Sequence, residues 1–251
     1  MVTPEKEKAT GTLTLVSTPI GNLGDITARA LDVLRSVDAV LAEDTRHSGI
    51  LLAHFGIRQK LIAYHDHNKE RVTPGILGRL LSGENIALVS DAGTPAVSDP
   101  GFFITRAAIE AGIPVTVVPG ANAILPALVM SGFPTDKFVF EGFLPRKSGE
   151  LARWIEELAS ERRTVIYFVS PYQLVKVLRA FAERLPDRTI AVVREITKIH
   201  EEIVRGTTRD LLRRYEGERV RGEIVLVVKA GPPAVAGRQS RRGPLDGDGV
   251  E

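Results

Sequence analysis

Apolar residues along the chain form short runs at 13–16, 39–42, 61–63, 85–89 and 115–118, each bounded by turn residues. This pattern predicts buried strands. Between the runs, apolar positions recur with helical spacing: Ala30, Leu31 and Leu34 behind a Thr27 cap, then 48–55, a stretch ending near Leu81, 102–111, and 122 to about 131. Strands alternating with helices predict right-handed βαβ units and a mainly parallel sheet. Residues 132–136 read as a linker, and beyond them the alternation loosens. Strands are predicted at 138–140, 164–168, 190–193, 199–204 and 222–228, with helices at 150–159, 174–184 and 211–215. The strands 190–193 and 199–204 have no helix between them, so the second sheet is mixed. The division expected is a disordered N-terminus (1–11), an N-terminal α/β domain (12–132), a C-terminal α/β domain (137–230) and a flexible tail (231–251).

Candidate chemistry gathers where the first strands end. The run SDAGTPAVSDPG (90–101) follows the strand 85–89 and holds two prolines, two glycines and mostly small side chains. Gly93 and Gly101 allow conformations that other residues resist, and Pro95 and Pro100 stiffen the loop. A plain connection needs fewer such residues, and ligands of open α/β sheets bind at the carboxyl ends of strands. Two further loops, 17–25 and 119–123, have the same character. None carries G-x-G-x-x-G or G-x-x-x-x-G-K-[ST], and none places a lysine beside glycines, which argues against di- and triphosphates. A phosphate-free ligand containing adenosine, S-adenosylmethionine among them, suits loops rich in free carbonyls with Asp91 close by.

Composition narrows the classes. The 251 residues are 43% hydrophobic, enough for one large or two medium domains. The absence of cysteine excludes disulfides and thiolate metal sites and points to a reducing cytoplasm. The N-terminal residues lack the apolar region of a signal peptide, and no run reaches membrane-spanning length. His65 and His67 have no third ligand spaced to help them hold a metal, so none is expected. Net charge is +2 but uneven: residues 12–136 carry 9 basic and 12 acidic side chains, and residues 137–230 carry 19 and 14. The surplus points to an anionic partner on the second half; ordinary solvated helix surface is the alternative.

The motifs TPIGNLGD, AEDTRHSG, YHDHN, ALVSDAGTPAVSDPG, VPGANA, FEGFLPRK, REITKIHEE and RGEIVLVV occur in this order. Together they resemble the ribosomal RNA small-subunit methyltransferase I family, of the tetrapyrrole methylase-like class, over residues 13–229. The resemblance implies two α/β domains with S-adenosylmethionine in the cleft between them, and a homodimer. It further implies methylation of the ribose 2′-hydroxyl of a cytidine in the decoding region of small-subunit ribosomal RNA. Asp91 apart, the expected cofactor positions come from the same resemblance: Pro19, Gly93, Thr94, Pro95, Val97, Ala121, Asn122, Ala123 and Val169. One departure is visible: the family commonly reads F-Y-E-S-P-H-R where this chain has Tyr167 to Gln173, so Val169, Tyr172 and Gln173 replace a glutamate, a histidine and an arginine.

A 2′-hydroxyl must lose its proton, and a base supplies about 10²–10⁴-fold. Glu43, Asp44, Glu141 and Glu195 are the candidates, with Lys198 eligible only if its pKa is lowered. Arg46, Arg146 and Lys147 are expected to hold RNA phosphates. A helix cap with a local ion pair is the bland alternative for residues 43–46, and a solvated loop is that for 146–147. Phe143, Trp154 and Tyr172 are expected in the core rather than stacked on bases. Two other classes stay open, a tetrapyrrole methyltransferase and a non-catalytic RNA-binding protein.

Overall fold

A computed structural model describes residues 9–99 and 101–231. Most of the expected disordered N-terminus, nearly all of the expected tail, and Pro100 lie outside these residues.

The first sheet is formed by β1 (Leu13–Val16), β2 (Ala39–Ala42), β3 (Leu61–Ala63), β4 (Ile86–Val89) and β5 (Val115–Val118), in the order β3-β2-β4-β1-β5. All its pairings are parallel. β1, β2 and β4 are buried along their whole length, which is why they read as unbroken apolar runs rather than as alternation. Helices cover both faces. α3 (Lys69–Leu81) and α4 (Gly101–Glu110) pack on one face through Ile76, Leu80 and Ile104. α1 (Ala28–Ser36) and α2 (Thr45–His54) pack on the other through Leu34 and Leu52.

The second sheet is mixed, as expected. β6 (Phe138–Phe143), β7 (Thr164–Val169), β8 (Thr189–Arg194), β9 (Glu202–Thr207) and β10 (Ile224–Val228) run in the order β6-β7-β10-β8-β9. Only β6 and β7 are parallel. α6 (Ser148–Glu157), α7 (Leu174–Arg184) and α8 (Thr208–Tyr215) cover one face. The other face is covered by α5 (Ile124–Ser131), whose Ala127 and Leu128 pack with Phe133 against Ile166, Val193, Val225 and Val227. Arg205 on β9 adds hydrogen bonds to the Met130 and Ser131 carbonyls at the end of α5.

Two expectations change. The stretch 132–136 is no loose linker: Phe133 is buried, and the Pro134 carbonyl accepts from the Thr164 hydroxyl at 2.7 Å. The strand expected at 199–204 begins three residues later. Residues 195–201 form a tight turn in which Glu195 and Thr197 take positive φ, and Ile199 is fully exposed. A local apolar signal cannot register such a turn, because it is held by polar bonds such as Thr197 N–H to Glu201 Oε2 at 2.7 Å.

Candidate active site

The three special loops lie side by side because β4, β1 and β5 are neighbours. Thr18 and Gly93 form a two-way bridge, each amide donating to the other carbonyl at 2.9 and 3.0 Å. The Thr18 hydroxyl donates to the Ser90 carbonyl at 3.1 Å, and the Ser17 and Thr94 hydroxyls lie 3.0 Å apart. Gly93 sits at φ 83, a conformation that costs a residue with a Cβ about 1–2 kcal/mol. Ala96 and Ser98 bear that strain, at φ 69 and 65. Asp99 Oδ1 holds them by accepting from the amides of Ala96 (2.7 Å) and Gly101 (2.8 Å). Burial pushes the Asp99 carboxyl up against those amide bonds. Gly101 is needed for space rather than for its backbone freedom: it opens α4, and a Cβ there would lie 2.8 Å from Asp99 Oδ1.

Against these loops the second sheet closes a cavity of about 580 Å³. Phe138, Phe140, Phe143 and Phe168 form its far wall, with Phe168 edge-on to Phe140 at 4.9 Å and to Phe143 at 5.5 Å. Among the described residues, Glu223 is the one charged residue in the lining, and no lysine or arginine lines the cavity. Gly93, Thr94, Val97, Asn122, Ala123 and Val169 line the cavity; Pro19, Asp91, Pro95 and Ala121 do not. Pro19 follows the Thr18 bridge, and Pro95 is buried. Ala121 lends its carbonyl to Thr94 at 3.5 Å. Asp91 accepts the Asp44 amide at 3.1 Å, so its carboxylate ties the β4 loop to the β2 loop.

Phe140 and Phe143 fall in the FEGFLPRK block and Phe168 in the stretch Tyr167 to Gln173, but nothing local in the sequence shows that they meet Phe138 in one wall. Phe143 and Tyr172 are not core residues: Phe143 is 66% exposed against Phe168, and Tyr172 is 95% exposed. Trp154 does pack against the core, its Nε1 donating to the Tyr167 hydroxyl at 3.1 Å.

The candidate bases have unlike surroundings. Asp44 caps α2 and pairs with Arg46 at 2.9 Å; its carboxyl is held well below the usual range, by the Arg46 side chain first and the Arg46 amide next. Glu195 is also held low, by the Glu223 amide first and by Lys198. Glu43 is pushed up, by burial first and then by the charges of Asp91, Asp99 and Asp66. Glu141 is exposed on β6. Lys198 is kept cationic: burial disfavours its charge, but hydrogen bonds to Glu223 (2.9 Å) and Glu195 (3.0 Å) outweigh it and raise its pKa. Its stem lies so close to Gly21 that a side chain there would collide with it. A lysine does therefore meet a glycine loop, brought from the far half of the chain and already neutralised. Arg146 and Lys147 are exposed beyond β6, Lys147 pairing with Glu150 at 3.2 Å.

Comparison with known proteins identifies the family. The family of Tetrapyrrole (Corrin/Porphyrin) Methylases matches residues 12–212. The ribosomal RNA small subunit methyltransferase I of Xylella fastidiosa is 48% identical over 223 residues, covering 87% of this chain and 81% of that protein. The protein of the same name from Synechocystis sp. is 46% identical over 224 residues, covering 89% and 80%. This chain belongs to the ribosomal RNA small subunit methyltransferase I family. The fold is shared more widely: the uroporphyrin-III C-methyltransferase from Thermus thermophilus, complexed with S-adenyl homocysteine, superposes with a TM-score of 0.58 at 18% identity over 87% of this chain and 97% of that one. Within the family pattern, Val169 in place of glutamate adds apolar surface to the cavity, while Tyr172 in place of histidine points to solvent.

Gly93→Val should abolish binding of S-adenosylhomocysteine in calorimetry while the protein stays folded by circular dichroism. A Cβ alone would meet Ile20 Cγ2 only at 3.4 Å, so the loss comes from the forced φ and from branches that enter the cavity. Wild-type affinity in this variant would reduce the loop to a connection.

Proposed function

We propose that this chain is an S-adenosylmethionine-dependent methyltransferase that methylates the ribose 2′-hydroxyl of a cytidine in the decoding region of small-subunit ribosomal RNA. The observation that carries the reading is the polarity of the cavity in a chain of this family: apolar and aromatic walls and, among the described residues, one carboxylate and no cation. A nucleoside di- or triphosphate would need the reverse. An adenosine joined to an amino acid through a sulfonium matches it, with the ring against the apolar walls and Glu223, which Lys198 also engages at 2.9 Å, as the carboxylate facing the cation. Gly93, Thr94, Val97, Asn122, Ala123 and Val169 would hold the cofactor, with Pro19, Asp91, Pro95 and Ala121 shaping the loops behind them. Bound S-adenosylmethionine supplies a methyl group already activated for displacement. The chain then has to orient the acceptor, worth about 7–11 kcal/mol at best, and accept one proton.

Glu43 is the proton acceptor in this reading. Asp44 is committed to its cap and to Arg46, and Glu195 to Lys198, whereas Glu43 combines a raised proton affinity with a place at the carboxyl end of β2. Arg146 and Lys147, with Arg46 beside the β2 loop, anchor RNA phosphates. The enzyme works in the bacterial cytoplasm, where its substrate is assembled, and as a homodimer. Self-association is supported by two exposed apolar pairs at helical spacing, Phe102 and Ile109 on α4 and Leu125 and Val129 on α5.

Incubation with labelled S-adenosylmethionine and unmodified small ribosomal subunits should yield labelled 2′-O-methylcytidine. Label on a tetrapyrrole instead, or RNA binding without turnover, would favour the other two classes. Glu43→Gln should lower kcat by about 10²–10⁴-fold and remove an acid limb of the wild-type pH–rate profile whose midpoint lies above the ordinary glutamate value. The native pKa is raised, so the ionised carboxylate costs stability at neutral pH, and this cost fades as pH falls toward the unfolded value. The variant should therefore melt higher than wild type at neutral pH. An unchanged kcat would remove Glu43 from the mechanism. Arg146→Ala with Lys147→Ala should lower the salt slope of RNA binding by about 0.7–0.9 for each phosphate no longer neutralised and leave cofactor affinity intact; an unchanged slope would return both to solvated surface. Light scattering should give twice the mass of one chain, and a single-chain mass at micromolar concentration would overturn the dimer.

A further inference from the structure

A second cavity, of about 370 Å³, lies at the same end of the second sheet as the first, toward the opposite face, and is its chemical opposite. It is lined by four arginines, Arg194, Arg214, Arg219 and Arg221, against two glutamates, Glu202 and Glu218. Glu202 is shared: Arg194 Nε donates to Oε2 at 3.1 Å and Arg214 Nη2 to Oε1 at 2.9 Å. Arg219 and Arg221 are exposed and form no ion pair among the described residues. The cavity thus keeps a positive surplus after its internal pairs are made.

A second observation points to a ligand. Tyr215 is 5% exposed and lines this cavity; the neighbouring Arg214 guanidinium can only donate to its buried hydroxyl, so the O–H proton has no acceptor among the described residues. An orphaned buried hydroxyl is costly and uncommon. Burial also pushes its pKa up, so it stays a donor. One unpaired O–H beside free guanidinium groups is a donor set for a tetrahedral oxyanion. The place in the fold says which one. Val220 and Arg221 line this cavity, and the next residues, 222–225, line the large one. On β8 and just beyond it, Arg194 and Ile196 divide in the same way. The two cavities therefore lie at the same end of the second sheet, the arginine-lined one toward its α8 face and the large one toward its α5 face, with the ends of β8 and β10 between them.

We propose that this arginine-lined cavity is a phosphodiester-binding subsite that takes a backbone phosphate of the RNA substrate near the target nucleotide. The inference rests on the function proposed above and extends it to Arg214, Tyr215 and Arg219, which lie outside the family motifs, together with Arg194, Glu202 and Arg221 at the edges of two of them. An RNA chain carries a phosphate at every nucleotide, so a strand that places one ribose in the large cavity brings a neighbouring phosphate within reach of its rim. Arginine rather than lysine suits the task, since its planar fork pairs two donors with one phosphate.

The test measures RNA binding across a salt series, with calorimetry of S-adenosylhomocysteine as a control, on wild type, Tyr215→Phe, and the double variant Arg219→Ala, Arg221→Ala. The double variant should bind small-subunit RNA about tenfold more weakly, with a salt slope lower by about 0.7–0.9 for the one phosphate it no longer neutralises. Tyr215→Phe should weaken RNA binding about 2–10-fold with no loss of melting temperature. Both should keep wild-type affinity for S-adenosylhomocysteine. Unchanged RNA affinity and slope in both variants, with wild type active, would overturn this inference alone. A wild-type protein that neither binds nor methylates the RNA would overturn the proposed function and this subsite with it. Inorganic phosphate that raises the melting temperature of wild type but not of Tyr215→Phe, while the RNA salt slope is the same in all three proteins, would reassign the cavity to a free anion.

Discussion

The position of α5 against the second sheet is what the site depends on. The helix follows β5 of the first sheet, yet its buried face packs on Ile166, Val193, Val225 and Val227. Each aliphatic side chain removed from water contributes about 1.5–3 kcal/mol, so these four, with Leu128, amount to something on the order of 10 kcal/mol. The two carbonyl bonds from Arg205 add direction but less energy. Because Asn122 and Ala123 lead directly into α5, fastening its body to the second sheet also fastens the loop that faces the aromatic wall. The amide of Leu125 donates to Asn122 Oδ1 at 2.9 Å and fixes that end. The cavity is the space left where two rigid sheets, so joined, do not quite meet.

Charge is sorted around that space. Cations are kept out of the lining, and the lysine that comes nearest is held between two carboxylates. Acidic groups collect at the ends of β2, β3 and β4, where burial and mutual repulsion raise Glu43. Unpaired arginine lies outside, on the reverse of the β8–β10 edge. A cationic cofactor and an anionic polymer can then approach one cleft without competing for the same residues, since each meets the sign it needs at its own depth.

Conformational strain marks the same region. Ala96 and Ser98 in the β4 loop, and Glu195 and Thr197 in the turn after β8, are the non-glycine residues with positive φ among those described. Both pairs border the cleft, one on each sheet. Such conformations persist only where the surroundings over-determine them. Here the determinants are polar: Asp99 receiving two amides on one side, and Glu195, Lys198 and Glu223 interlocked on the other.

The sequence by itself determined the strands of the first sheet and most of those of the second, the displaced β9 excepted. Buried parallel strands must be apolar on both faces, and that pattern is local, so β1, β2 and β4 could be read within a residue; β5, exposed over much of its length, could be read from its β-branched run. It determined the ligand loops as well, because glycine, proline and small residues at strand ends are themselves the constraint. Six of the ten expected cofactor positions line the cavity for that reason. Only the tertiary structure decided what depends on pairing across the chain. The phenylalanine wall, Glu223, and the carboxylates that neutralise Lys198 meet the first-half loops through the packing of α5, which no local pattern encodes. The fates of Glu43 and Glu195 were settled the same way: burial and then Asp91 and Asp99 raise one proton affinity, while the Glu223 amide and Lys198 lower the other. Asp44 is the exception, since its helix cap and its pair with Arg46 are local and belong to the sequence pattern.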